Sequence, residues 1–96
     1  MPTHDEDPRF IRDYRALTPA QQAAFKEAVK KFREDLEGGG PFRPSLRVKQ
    51  YKRLEDVWEL SWAPDGRALS MYGTSIRPGD VHIIWLRVGT HDIFRA

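Results

Sequence analysis

His91, Arg67, Arg87 and Lys49 are the side chains of this 96-residue chain whose types can do chemistry. An unperturbed imidazole titrates near neutral pH, which makes His91 the natural group for moving a proton. It follows Gly89-Thr90 just after an expected strand end, where backbone freedom can turn it into a groove. Arg67 and Arg87 carry guanidinium forks, which match phosphate oxygens better than an ammonium does, and Lys49 adds a point charge. Such a set can break an RNA phosphodiester without a metal: a 2′-hydroxyl is activated, charge on the phosphate is offset and the leaving oxygen is protonated. Glu59 is either a general base opposite His91 as the acid or a scaffold for an arginine; a lone strand carboxylate is more often an ion-pair partner, which puts the scaffold first. Bland readings stand beside these. Arg67 and Arg87 can pair with Glu59, Asp65 or Asp92, and a loop histidine taken alone is more often structural than catalytic.

The surroundings are basic. Residues 1 to 40 hold 7 basic and 8 acidic side chains (net −1), residues 41 to 96 hold 9 and 6 (net +3), and Arg43, Arg47, Lys49, Lys52 and Arg53 lie between Phe42 and Arg53 with no acid among them. That stretch suits a polyanion or is a solvated surface. In the first reading Arg47, Lys52 and Arg53 grip flanking RNA, and Phe94 stacks on a base or fills core; Tyr72 is read as core. His4, His82 and His91 are too scattered for a metal site, and neither a Gly-x-Ser-x-Gly elbow nor a phosphate-binding Gly-x-x-x-x-Gly-Lys loop occurs.

The elements that must position these residues fall into two halves. Asp7-Pro8 starts a helix as cap and first-turn proline, and Phe10, Ile11, Tyr14 and Leu17 form its apolar stripe. Thr18-Pro19 starts a second helix with Phe25, Val29, Phe32 and Leu36 at steps of four, three and four, which Gly38-Gly39-Gly40-Pro41 ends. A helical hairpin with its corner at Leu17-Thr18 follows. From Leu46 the period becomes two: strands are predicted over 46–51, 57–62, 67–72 and 81–88, with Ala63-Pro64-Asp65-Gly66 as a turn and 73–80 as a loop. Trp58, Trp62 and Trp85 at strand spacing fill the layer between sheet and helices. The expected fold is α+β, an N-terminal helical hairpin on a four-stranded antiparallel sheet, in one domain spanning 1–96 with residues 1–6 disordered.

Composition narrows the class. Without cysteine there are no disulfides and no thiolate metal sites, and no run of about 18 apolar residues exists. The dense acid at His4-Asp5-Glu6-Asp7 is wrong for a signal peptide, so a cytoplasmic protein with no membrane partner is expected.

Two segments resemble a known family. Trp58 to Ala68, and Ile83 to Phe94, are similar to the strand core and C-terminal signature of RelE/ParE-superfamily toxins of type II toxin-antitoxin systems; Phe10 to Leu17 and Leu46-Arg47-Val48-Lys49 resemble the family's hairpin and first basic strand. The resemblance covers roughly residues 8 to 95. Its most specific part, Arg87-x-Gly89-Thr90-His91 followed by an apolar pair, resembles the ribosome-dependent nuclease branch that includes YafQ-like toxins. It implies a metal-independent mRNA endoribonuclease that needs no cofactor, acts on the ribosome and inhibits translation. It also implies a cognate antitoxin that blocks a basic groove, in a complex that binds operator DNA through the antitoxin. The alternatives are a ParE-like gyrase inhibitor and an inactive module that only binds antitoxin or DNA. Two features depart from the pattern: no opening strand is recognisable in Met1 to Asp7, and Glu59 stands where nuclease relatives often carry an arginine.

Overall fold

Capping side chains set both helices as the sequence predicts. In the computed structural model, which describes residues 2–94, helix α1 spans Pro8–Ala16 and helix α2 spans Pro19–Gly38. The Asp7 side chain accepts the Arg9 amide at 2.9 Å. Thr18 and Gln21 exchange reciprocal side-chain bonds with each other's backbone amides at 3.1 and 2.8 Å, a capping box that satisfies amides the helix cannot. Helix α2 stops where Gly39 takes φ 67°, a left-handed backbone that costs glycine nothing. The hairpin corner is tied by the Gln22 amide donating to the Tyr14 carbonyl at 2.9 Å.

Among the described residues the sheet has five strands, not the expected four: β1 Thr3–Glu6, β2 Lys49–Gln50, β3 Val57–Ser61, β4 Gly66–Gly73 and β5 His82–Thr90, in the order β1-β5-β4-β3-β2. Strands β2 to β5 form the predicted antiparallel run, but β1 joins β5 in parallel, so the sheet is mixed. The expected disorder of residues 1–6 is therefore corrected over Thr3–Glu6, while Met1 lies outside the described residues. Strand β1 gives no alternation signal because three of its four residues face solvent at the sheet's edge. Side chains hold it instead: the buried His82 ring contacts Thr3 Oγ1 through Nδ1 (2.7 Å) and Asp5 Oδ2 through Nε2 (3.0 Å). These contacts span 77 and 79 residues, beyond the reach of any local pattern.

The strand predicted over 46–51 also shortens. Pro44–Leu46 is a 3-10 turn and Arg47 follows at φ 47°, so Leu46 swings into the core and only Lys49–Gln50 pairs. The core lies between helices and sheet, with Phe10, Phe25 and Phe32 packed around Trp85 at ring distances of 6.1, 5.5 and 5.7 Å. Leu60, Trp62, Ala68, Ile83, Trp85 and Val88 supply the sheet's side of it. Alternation then sends Glu59, Ser61, Arg67 and Leu69 to the opposite face. In β5 the register slips between Leu69 and Ser70, a bulge at Leu86 that brings Arg87 onto that open face beside Leu69.

Candidate functional site

One row of the open face runs straight across four strands. Lys49 pairs with Glu59, Glu59 with Leu69 and Leu69 with Arg87 in the strand register. Lys49 Nζ lies 3.5 Å from Glu59 Oε2, and Arg67 Nε approaches the same oxygen at 3.9 Å. Glu59 is buried while the Lys49 side chain is 66% exposed, so the carboxylate anchors an ammonium that still faces solvent.

The two arginines are already committed. Arg67 Nη1 donates to the carbonyls of Gly66, Pro64 and Ala63 at 2.8, 3.2 and 3.3 Å, and its side chain is only 10% exposed. It clamps the turn between β3 and β4. Arg87 closes its fork on Asp13 of α1, with Nε at 2.7 Å and Nη2 at 3.2 Å. The hydrogen bonds that Arg87 donates to Asp13 raise the Arg87 pKa above its ordinary value, against the opposing effect of burial. Asp13 also accepts the Val88 amide at 3.2 Å, a group on the β5 edge that β1 leaves without a strand partner because it pairs no further than Trp85. The expectation that Arg67 and Arg87 present open forks to a phosphate is thus corrected: sequence distance hid the acids and carbonyls that hold them. Replacing Asp13 with alanine leaves a partly buried guanidinium and an amide without their acceptor. A loss of about 1–3 kcal/mol is expected. A double-mutant cycle with Arg87→Ala measures it, the pair counting as structural if the coupling exceeds the few tenths typical of surface pairs.

His91 opens a 3-10 turn, His91–Phe94, that follows β5 and lies over the open face. Its side chain is 53% exposed, and Nδ1 hydrogen-bonds Asp65 Oδ1 in the Pro64-Asp65-Gly66 turn. A carboxylate only accepts, so Nδ1 carries the proton and Nε2 is left toward solvent chemistry. The hydrogen bond from His91 holds the Asp65 carboxyl below its ordinary pKa, with the charges of His91 and Arg67 adding to it against desolvation. Because the folded value is depressed, the contact persists above the usual carboxylate range near 3.9 and is lost as pH falls through the lowered value. NMR titration should show Asp65 protonating at lower pH in the native chain than in His91→Ala; equal midpoints rule the pairing out in solution.

The turn is held along its length. Ile93 sits on Gly89, where a Cβ would come within 2.6 Å of its Cγ2. Phe94 stacks on Tyr51 at 5.3 Å and meets the His91 ring edge-on at 6.0 Å. Arg53 donates to the Phe94 carbonyl at 3.0 Å. Lys52 is exposed in the same loop, and Arg47 is exposed at its left-handed position beside a groove of about 480 Å³ that Lys31, Ser45 and Ser61 also line. Arg43 is withdrawn from the basic stretch by Asp35, at 2.9 and 3.0 Å. Tyr72, read from sequence as core, is instead 45% exposed. The larger groove, about 610 Å³, lies between β1 and α2 over Phe10, Phe25 and Trp85, on the helix side of the sheet and away from His91.

No family model matches the sequence, and no curated protein does. Solved structures do match in three dimensions. The E. coli DinJ-YafQ complex aligns over 100% of both chains at 13% identity with a TM-score of 0.64. A copper-bound mutant toxin of Helicobacter pylori aligns over 97% of this chain and 98% of its own at 18% and 0.64. The toxin-antitoxin complex RelBE of E. coli aligns over 92% and 94% at 18% and 0.58. The chain has the RelE-type fold.

On this RelE-like frame the sequence-derived residues divide into two groups. His91, Phe94, Arg53, Lys49 and Glu59 share the open face or its rim, whereas Arg67 and Arg87 brace the structure. Asp13 and Tyr51 were missed as partners, and Asp65 was read as a partner for an arginine and not for His91. Asp65 reads in sequence as a turn residue, and only the antiparallel return of β5 beside β4 brings it to a histidine 26 residues away. Among the described residues no group of three or more His, Asp or Glu can hold a metal ion, and no helix is long and apolar enough to cross a membrane.

Proposed function

We propose that this chain is the toxin of a type II toxin-antitoxin pair and cuts messenger RNA on the ribosome with its open sheet face, in the cytoplasm and without a metal. The observation that carries the reading is the exposed His91, its tautomer fixed by Asp65, standing on a cationic face of a RelE-like fold. In the reaction the RNA 2′-oxygen attacks the adjacent phosphorus and loses its proton to solvent, and the bond from phosphorus to the 5′-oxygen breaks. His91, acting in its doubly protonated form with Nδ1–H held by Asp65, hands its Nε2 proton to that leaving oxygen and is left as the neutral Nδ1–H imidazole, which solvent reprotonates. Lys49, anchored by Glu59, offsets the charge developing on the phosphate, which is where an electrostatic contribution counts most. Arg47, Lys52 and Arg53 hold the flanking backbone, so binding should weaken as salt rises. Arg67 and Arg87 keep the face in shape and Glu59 acts as scaffold. A cognate antitoxin covers the face when the chain is inactive and supplies the contact with operator DNA.

Induction of the chain without an antitoxin tests this. Growth arrest with transcripts cut inside reading frames is expected. Intact transcripts with stalled DNA replication give the gyrase-inhibitor reading instead, and uninterrupted growth reduces the chain to a binding module.

A further inference from the structure

Among the described residues the edge of β3 has no strand partner at Ser61. Tyr51 and Lys49 pair with Val57 and Glu59, so the next residue in phase, Ser61, should meet Arg47. It does not, because the Arg47 backbone turns left-handed at φ 47° and its amide donates to the Pro44 carbonyl at 3.0 Å instead. Glycine adopts that backbone freely, whereas an arginine has to be held in it. Beside the gap lies the groove of about 480 Å³, walled by α2, the Pro44–Leu46 turn and the turn that carries Asp65.

Donors without acceptors line this groove. Ser61 is only 8% exposed, yet its hydroxyl has no hydrogen-bond partner among the described residues, and neither has the hydroxyl of Ser45. Lys31 and Arg47 bring cations that form no ion pair among the described residues. Arg67 brings a third, its Nη1 tied to backbone carbonyls and its Nη2 making no hydrogen bond among them. Glu27, exposed on α2, is the acid along the groove, so three cations against one carboxylate leave a charge of +2.

We infer that this groove is a phosphate site: the Ser45 and Ser61 hydroxyls and the Arg47 guanidinium bond the phosphate oxygens, and Lys31 offsets their charge. Charge-assisted bonds of this kind are the strong ones, and a forked guanidinium fits two oxygens at once. The phosphate belongs to a ribonucleotide, either free or within the strand, because the groove reaches the open face round the β3 edge at Ser61 and Arg67. Only the strand case rests on the reading of that face as an RNA surface. A phosphate held here bridges α2 to the turn that presents Asp65.

The test follows the amide NMR spectrum of the full chain as inorganic phosphate or adenosine 5′-monophosphate is added at constant ionic strength. Saturable shifts are expected at Lys31, Ser45, Arg47 and Ser61. Ser61→Ala removes a donor and no internal bond, so affinity should fall by about tenfold with the melting temperature unchanged. Arg47→Gly should abolish binding while the melting temperature holds or rises, which separates a lost site from a lost fold. Shifts that climb linearly with phosphate, or that Ser61→Ala leaves unaltered, mean surface charge alone and overturn the site. A short single-stranded RNA added to the His91→Ala chain separates the two sources. Shifts at Ser45 and Ser61 that the mononucleotide reverses put the strand's phosphate in the groove; their absence beside a saturating mononucleotide response assigns it to the free nucleotide. Saturable phosphate binding by a chain that cuts no transcript upholds the site and removes the nuclease, whereas cutting by a chain that takes no phosphate removes the site alone.

Discussion

Replacing His91 with alanine should reduce RNA cleavage by roughly 10²–10⁴-fold, the range over which a positioned proton donor acts. The loss should appear with the melting temperature nearly unchanged, because the ring is half exposed and outside the core. Asp65→Asn separates transfer from positioning. An amide can donate as well as accept, so it no longer dictates which imidazole nitrogen carries the proton, and a smaller fall in turnover with unaltered RNA binding is expected. Primer extension on a defined transcript after timed induction provides the readout, with the His91→Ala chain as reference. Cleavage at native rates in that variant removes His91 from the mechanism and leaves Lys49 and Glu59 as the remaining groups on the face.

Trp85→Ala should have the largest effect on stability. The ring is 4% exposed and touches Phe10, Phe25 and Phe32, tying both helices to the central strand pair. Truncating a buried aromatic of this kind costs about 3–5 kcal/mol, because the lost transfer energy is joined by a cavity the rigid neighbours cannot fill. For a domain whose whole stability is on the order of 5–15 kcal/mol, this leaves little margin. Each kcal/mol corresponds to roughly 4–8 °C in melting temperature at this size, so a fall of about 12–40 °C is expected by calorimetry. Ile76→Ala, at a residue 65% exposed, is the control and should stay within about 0.5 kcal/mol of the native chain. A Trp85 variant that melts with the control would mean that the aromatic cluster is not what holds helices to sheet.

Those two outcomes together would separate a load carried on one side of the sheet from the proposed chemistry on the other. Arg67 and Arg87 belong to the first although they sit on the second. Arg67 shapes the turn that presents Asp65, and Arg87 joins α1 to the strand that ends at His91. Variants of either arginine should therefore lose activity together with stability, unlike His91→Ala.

Local physics was readable from the residues alone. Asp7 and Thr18 as caps, prolines in the first turns and Gly39 at the stop each act within a few positions, and the helices begin and end where those signals place them. Alternation in β3, β4 and β5 likewise reports one buried and one open face, which is enough to put Glu59 and Lys49 opposite Trp62 and Leu60. The candidate imidazole was visible too, as a histidine just past a strand. Tertiary structure alone decided what each charged group does. Strand β1 is polar and exposed and is held by a histidine far along the chain, so no period could announce it. The bulge at Leu86 shifts Arg87 to a face that simple alternation cannot assign, and Asp13 then captures it. A guanidinium binds carboxylate, carbonyl and phosphate by the same geometry, and residue type cannot say which of them stands within reach. That choice is made by long-range packing, which here gives both arginines to the scaffold and leaves the imidazole and Lys49 facing solvent.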